Sequence, residues 1–339
     1  MSSSEEGPEW LVWIVTGQCN LRCPYCYATH YEKEEPLKGE HMVRVLKEAA
    51  STGVEYINYT GGEPLLREDI LEILRQTVDL GIEASLFTNL TLVSESIASE
   101  LSRLNVFILT SLDGPEEVYE RVKGEGTWRK FTRSIEIIRE LGLPFHVNVT
   151  ISKINHEVVG EAIVLASELG AESISVIPSM AFGRAKETGT YISRGDFLRS
   201  LLQIEKVAEE LGIYVSVWCA PFLESLRGFR RLYYSNCRGW REMDISPSGK
   251  VLSCDAMGIE LANVLEDGIL GSWVKLNAHP FYLRVKVLPE QCSGCITKRC
   301  MGGCYARAYH HWGKLPAPDP LCPKVKLTAD VVSPEVKRS

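Results

Sequence analysis

Between residues 9 and 217, short runs rich in β-branched and aromatic residues alternate with longer amphipathic ones, and this alternation most constrains the fold. It predicts parallel strands joined by right-handed helical crossovers. The strand candidates are Trp10–Thr16, Glu55–Tyr59, Glu83–Thr88, Val106–Leu112, Phe145–Ile151 and Ser173–Ile177. Helix candidates are His41–Ser51, Glu68–Leu80, Ser94–Leu104, Lys130–Leu141, Glu157–Leu169 and Gly195–Leu211. Gly53, Gly81, Gly142, Gly170 and Gly212 follow five of them, where a left-handed C-cap is wanted. The expected class is α/β, a partial (β/α)6 TIM barrel, with the chemistry on loops leaving the C-terminal ends of the strands.

Those loops carry distinctive residues. The first holds Cys19-x3-Cys23-x2-Cys26, three thiols in one short segment. Zinc is one reading, with His30 the nearby candidate for a fourth ligand; an iron–sulfur cluster or redox thiols are the others. Gly61-Gly62-Glu63-Pro64 follows the second strand, Thr88-Asn89 the third, and Ser111-Leu112-Asp113-Gly114-Pro115 the fourth. Each is ordinary turn or capping chemistry alone, but together they converge on one end of the barrel.

Past Ile213–Trp218 the alternation stops, and eight of the eleven cysteines fall between residues 219 and 322. A boundary is placed near residue 216, giving a flexible start over 1–8, a core over 9–216, a small region over 217–330 and a flexible tail over 331–339. Met243–Ser253 reads as a hairpin turning at Pro247–Gly249. The loop-rich remainder suggests organisation by metal rather than by a core.

Composition closes off some classes. The chain has 339 residues, 45% of them apolar, and a net charge of −7 without a long basic run, which gives no footprint for nucleic acid. No signal-like start and no apolar run of bilayer length occur, so the expected location is the cytoplasm without a membrane span. There cysteines stay reduced, and their clustering points to metal ligation.

The Cys19, Cys23, Cys26 triplet followed by Gly61-Gly62-Glu63-Pro64 resembles the radical S-adenosylmethionine (radical SAM) superfamily over roughly residues 9–217. The resemblance implies a [4Fe–4S] cluster on the three thiolates, with one iron free to chelate S-adenosylmethionine. Its reductive cleavage would give a 5′-deoxyadenosyl radical that abstracts a substrate hydrogen. By the same resemblance Gly61 and Gly62 let the backbone approach the cosubstrate, and Glu63 or nearby carbonyls receive its ammonium group. Tyr25 lies against adenine, Thr88 and Asn89 contact ribose, Ser111 and Asp113 line the pocket, and Arg121 meets the methionine carboxylate. The family commonly shows Thr-Asn-Gly; here Leu90 stands in place of that glycine.

The later cysteines resemble the SPASM extension, implying two auxiliary clusters and three [4Fe–4S] clusters in all. Cys237 followed by Gly249-x4-Cys254, then Cys292-x2-Cys295-x4-Cys300-x3-Cys304 and Cys322, matches its pattern except that one gap is x4 rather than x5. Cys292, Cys295, Cys300 and Cys322 would hold the outer cluster, and Cys237, Cys254 and Cys304 the inner one. Either Cys219 completes the inner set, or one iron stays open, the version favoured on sequence. Asp255 matches an acid that relatives place near substrate, and is also a natural turn former. Most such enzymes crosslink or oxidise a peptide or protein side chain; the alternative is a haem-precursor tetrapyrrole, whose propionates Arg227, Arg230 and Arg231 beside Phe222, Phe229 and Trp240 could meet. An electron donor such as flavodoxin or ferredoxin is implied. A zinc-stabilised binding protein without activity is the reading from another class.

Overall fold

On the strands of the first half, fully buried apolar residues such as Ile57, Tyr59, Val147 and Val149 alternate with more polar ones such as Asn58 and Asn148 that face the barrel interior. The computed structural model describes residues 7–234, 236, 237 and 241–327. The expected alternation is present: β1 (Trp10–Thr16), α1 (Gly39–Ser51), β2 (Tyr56–Gly61), α2 (Ile70–Asp79), β3 (Glu83–Phe87), α3 (Glu95–Arg103) and β4 (Phe107–Ser111) come first. Then follow α4 (Glu116–Lys123), α5 (Thr127–Glu140), β5 (Phe145–Ile151), α6 (Val159–Glu168), β6 (Ser173–Pro178), α7 (Gly183–Thr188) and α8 (Arg194–Leu211). Gly53, Gly81, Gly142, Gly170 and Gly212 have φ between 65° and 86°, the conformation expected of helix-ending glycines.

The sheet is open and extends beyond the six expected strands. β7 (Val215–Val217) and β8 (Leu232–Tyr234) continue it in parallel past β6. At the other edge β9 (Glu242–Ile245) pairs in parallel with β1, and β10 (Lys250–Leu252) and β11 (Glu260–Asn263) follow antiparallel, giving the order β11-β10-β9-β1-β2-β3-β4-β5-β6-β7-β8. The β9–β10 pair is the expected hairpin. Residue 216 lies inside β7, so the C-terminal segment grows out of one sheet edge and returns to the other.

That segment is also less loop-like than expected. α9 (Val264–Ala278), α10 (Pro280–Val285) and α11 (Tyr305–Trp312) follow β11, and α9 packs on α1. Ile269, Trp273 and Leu276 of α9 join the same continuous core as Leu11, Trp13 and Val15 of β1. Gly268, at φ 66°, breaks α9 near its start, and the Glu48 carboxylate of α1 caps the second part by accepting from Ile269 N at 2.7 Å. The break destroys the apolar periodicity by which the helix would have been read.

At the start of the described chain Gly7 and Pro8 are buried, and Gly7 O accepts from Arg241 Nε at 2.9 Å. Residues 1–6 and the expected tail at 331–339 lie outside the described residues. No helix among the described residues is long and apolar enough to cross a membrane.

Candidate active site

The cysteine triplet leaves the C-terminal end of β1 and is folded against the glycine pair after β2. Gly62 N donates to Thr16 O at 2.7 Å and Glu63 N to Gln18 O at 2.8 Å. A Cβ at Gly61 would lie 2.3 Å from Thr16 O, and one at Gly62 2.1 Å from Gln18 O. The close approach that needs glycine is therefore made by the backbone of the cysteine loop itself.

Glu63 is fully buried, and its carboxylate accepts from Leu65 N at 3.0 Å, Thr88 Oγ1 at 2.8 Å and Asn89 N at 2.8 Å. Burial raises its pKa while these donors oppose the rise. Neither Glu63 nor Thr88 lines the cavity described below, whereas Gly61, Gly62 and Asn89 do. In this structure the Glu63 carboxylate therefore staples the loops after β2 and β3, while Gly61 and Gly62 beside it line the cavity. Asn89 Nδ2 extends that staple to Asn20 Oδ1 at 2.9 Å, inside the cysteine loop. Leu90 adopts φ 62° where the resemblance had glycine, held by its N–H on Thr88 Oγ1 at 3.1 Å and by Ser134 Oγ donating to its carbonyl at 2.6 Å.

Arg121 does not reach the site: it is exposed and pairs with Glu117 on its own helix at 2.8 Å. Two residues on, Lys123 at the end of α4 points inward and is buried. Its ammonium donates to Tyr25 OH and Ser111 Oγ, each at 2.8 Å, and pairs with Asp113 Oδ2 at 3.1 Å. Tyr25 OH in turn donates to the Asp113 carboxylate at 2.8 Å. Asp113 is fully buried behind the cavity wall, while Tyr25, Ser111 and Lys123 open onto it. Arg184, at the start of α7, holds the other side of the loop: its N–H donates to Cys26 O at 2.9 Å and its guanidinium to Cys23 O at 3.1 Å and Glu32 Oε1 at 2.9 Å. Lysine is a common surface residue, so Lys123 carried no signal beyond its type, whereas Arg184 belongs to Phe182-Gly183-Arg184-Ala185, which resembles a Gly-Arg-Ala turn recurrent after the sixth strand in radical SAM enzymes.

A cavity of about 520 Å³ fills the barrel mouth, within the usual range for a small-molecule site. Cys19, Cys23 and Cys26 line one side of it, and Cys219, Cys237, Cys254 and Cys304 the other. Cys292, Cys295, Cys300 and Cys322 lie away from it; Cys300 and Cys322 are buried among the C-terminal loops, near Cys295. The eleven cysteines therefore separate into two groups opening on the cavity and one set apart from it.

Among the described residues four carboxylates line the cavity: Glu32, which is paired with Arg184, and a cluster of three, Glu242 and Asp244 from β9 and Asp255 beside Cys254. Asp255 N donates to Asp244 Oδ2 at 2.7 Å, Tyr27 OH to Asp255 Oδ2, and Tyr31 OH to Asp255 O at 2.7 Å. Burial, with the charge of Asp255 adding, pushes Glu242 up to about 7. Asp244 rises well above its ordinary value through burial and its two acidic neighbours. Among the described residues the cations lining the cavity are Lys123 and Arg184, and they are already paired with Asp113 and Glu32. Arg227, Arg230 and Arg231 do not line it; Arg231 lies over the Tyr214 ring instead. Trp240 is outside the described residues.

The donor set fits a multi-iron group better than a single ion. Among the described residues, the one trio of metal-binding side chains whose ligand atoms converge within 4.8 Å is Asp244, Cys254 and Asp255. A tetrahedral zinc would bring its sulfurs to roughly 3.8 Å from each other. The three thiols of the first loop share the cavity without converging so far, and His30 does not line it. Burial pushes the Cys19 thiol up to about 11 and raises Cys23 and Cys26 as well, so these groups become thiolates when a metal supplies the compensating charge.

Comparison with known proteins agrees with this geometry. A family model described as "Radical SAM superfamily" matches residues 13–166. The chain is 28% identical to an AdoMet-dependent heme synthase of Methanosarcina barkeri, covering 95% of this chain and 98% of that protein. It is 30% identical to a PqqA peptide cyclase of Methylobacterium nodulans, covering 96% and 88%. Among solved structures, anSMEcpe with bound AdoMet superposes with a TM-score of 0.77 at 20% identity, covering 93% of each chain. Streptococcus suis SuiB bound to its precursor peptide SuiA superposes with 0.76 at 21%, covering 94% of this chain and 76% of that one. With the cysteine loop, the glycine pair and the open parallel sheet in their places, this chain belongs to the radical SAM superfamily of enzymes.

Proposed function

We propose that the chain is a radical SAM/SPASM oxidoreductase of the cytoplasm that oxidises or crosslinks a side chain of a peptide or protein. A [4Fe–4S] cluster on Cys19, Cys23 and Cys26 would supply the electron that splits S-adenosylmethionine into methionine and the hydrogen-abstracting 5′-deoxyadenosyl radical. Gly61, Gly62 and Asn89 line the cavity beside these cysteines, and Tyr25 and Ser111, both fixed by Lys123, form the adjoining wall. Two auxiliary [4Fe–4S] clusters would occupy the C-terminal cysteines, the inner one across the cavity from the triplet. An external donor such as flavodoxin or ferredoxin would deliver electrons. Asp255, held by Tyr27, is the candidate to take the proton that leaves with the substrate electron.

The observation that carries the choice of substrate is the acidic wall of Glu242, Asp244 and Asp255. An amino group or a basic side chain of a peptide would draw these buried carboxylates into their charged form and pair with them, whereas propionates of a tetrapyrrole would find Lys123 and Arg184, the cations among the described lining residues, already paired. The relatives named as peptide cyclases favour the same choice, and the one named as a heme synthase keeps the tetrapyrrole reading as the second hypothesis. Reduced, reconstituted protein incubated with S-adenosylmethionine and either basic peptides or a haem precursor tests both. Release of 5′-deoxyadenosine with a mass change in the peptide supports the proposal, and a mass change in the tetrapyrrole alone overturns it. Protein that takes up zinc but neither iron nor sulfide would be a binding protein instead.

A further inference from the structure

Cys219 follows β7, far in sequence from the other C-terminal cysteines, and its position in space separates it from an inert core thiol. It lines the cavity together with Cys237, Cys254 and Cys304. Cys219, Cys254 and Cys304 also share one packed cluster with Met180, Ala256 and Ala306. The four residues come from four different segments, after β7, after β8, after β10 and at the start of α11.

The backbone around Cys219 is built to hold this position. Its φ is 55°, in the left-handed region that a residue with a Cβ rarely enters. Arg307, buried on α11, holds it there by donating to Cys219 O at 2.6 Å. The same guanidinium pairs with the fully buried Asp319 at 2.6 Å, and that carboxylate accepts from Cys304 N at 2.9 Å. One buried ion pair thus registers two cysteines 85 residues apart, as two ligands of one group would require. Gly303 lets Asp319 come this close, since a Cβ there would lie 2.3 Å from the Asp319 Cβ.

We propose that Cys219 is the fourth thiolate of the inner auxiliary cluster, completing the set with Cys237, Cys254 and Cys304. This rests on the reading of those three as cluster ligands, and reverses the open-iron version favoured on sequence. A closed inner cluster handles electrons only, and substrate is held by side chains such as those of the acidic wall.

The test uses the full chain carrying Cys19→Ala, Cys23→Ala and Cys26→Ala, so that only auxiliary sites load on anaerobic reconstitution. About eight iron atoms per chain are expected, and the paramagnetic resonance spectrum of the reduced protein should not change on adding cyanide or imidazole. Adding Cys219→Ala should lose about four of those irons, or keep them and make the spectrum respond to cyanide. Two results would overturn the proposal: a cyanide response while Cys219 is intact, or a Cys219→Ala protein with the full iron content and an unresponsive spectrum. The first needs no variant of Cys219, so misfolding cannot hide it. Absence of iron and sulfide from the triple variant would instead remove the auxiliary-cluster reading on which the proposal depends.

Discussion

Lys123→Met removes the buried ammonium that orders the wall beside the first cysteine loop. Asp113 is fully buried, and without Lys123 it keeps Tyr25 OH at 2.8 Å as a side-chain donor but no counter-charge. Removing one partner of a buried ion pair costs roughly 3–5 kcal/mol, and the surviving tyrosine bond argues for about 3 kcal/mol here. Most of that is the stranded charge of Asp113, so Lys123→Met/Asp113→Asn should be less destabilised than the sum of its single variants by about 2 kcal/mol. Urea unfolding of cluster-free protein, followed by tryptophan fluorescence, measures all four corners of this cycle. If the single variants add to within about 0.5 kcal/mol, the two groups do not depend on each other and the account of this wall is wrong.

Two further perturbations probe other links. Gly62→Ala places a methyl group 2.1 Å from Gln18 O, so the cysteine loop must shift; reconstituted protein should lose about four iron atoms per chain while keeping its auxiliary clusters, and unchanged iron would show that the loop tolerates displacement. His146 sits between Ser173 and Ser175 with burial lowering its pKa to about 4, so its neutral form favours folding fully above its ordinary value of 6.5, and that contribution is lost as pH falls toward 4. Between pH 7.5 and 5 the parent should lose about 2 kcal/mol more stability in urea than His146→Gln, and equal losses would refute the assignment.

The barrel strands and most of the crossover helices were legible because β-branched and aromatic runs, amphipathic spacing and helix-ending glycines all leave local marks. The cysteine triplet was legible for a similar reason, since its spacing lies within one loop. What escaped depends on contacts between segments. Arg121 and Lys123 sit two residues apart in the last turn of the short helix α4, about 200° around it and so on opposite faces, one solvated and one buried. Nothing local tells the two apart, because the choice is made by Asp113 and Ser111 arriving from β4 and the loop after it. The stapling role of Glu63 is hidden for the same reason: its donors at Thr88 and Asn89 lie about 25 residues away, after the next strand. The Arg307–Asp319 pair completes the pattern, being two ordinary charged residues until folding sets both against Cys219 and Cys304. Sequence spacing therefore identifies the groups that could hold iron, while buried charges contributed by distant segments decide where those groups are fixed. It follows that removing Lys123 or Arg307 should disturb a cluster site although neither supplies a ligand.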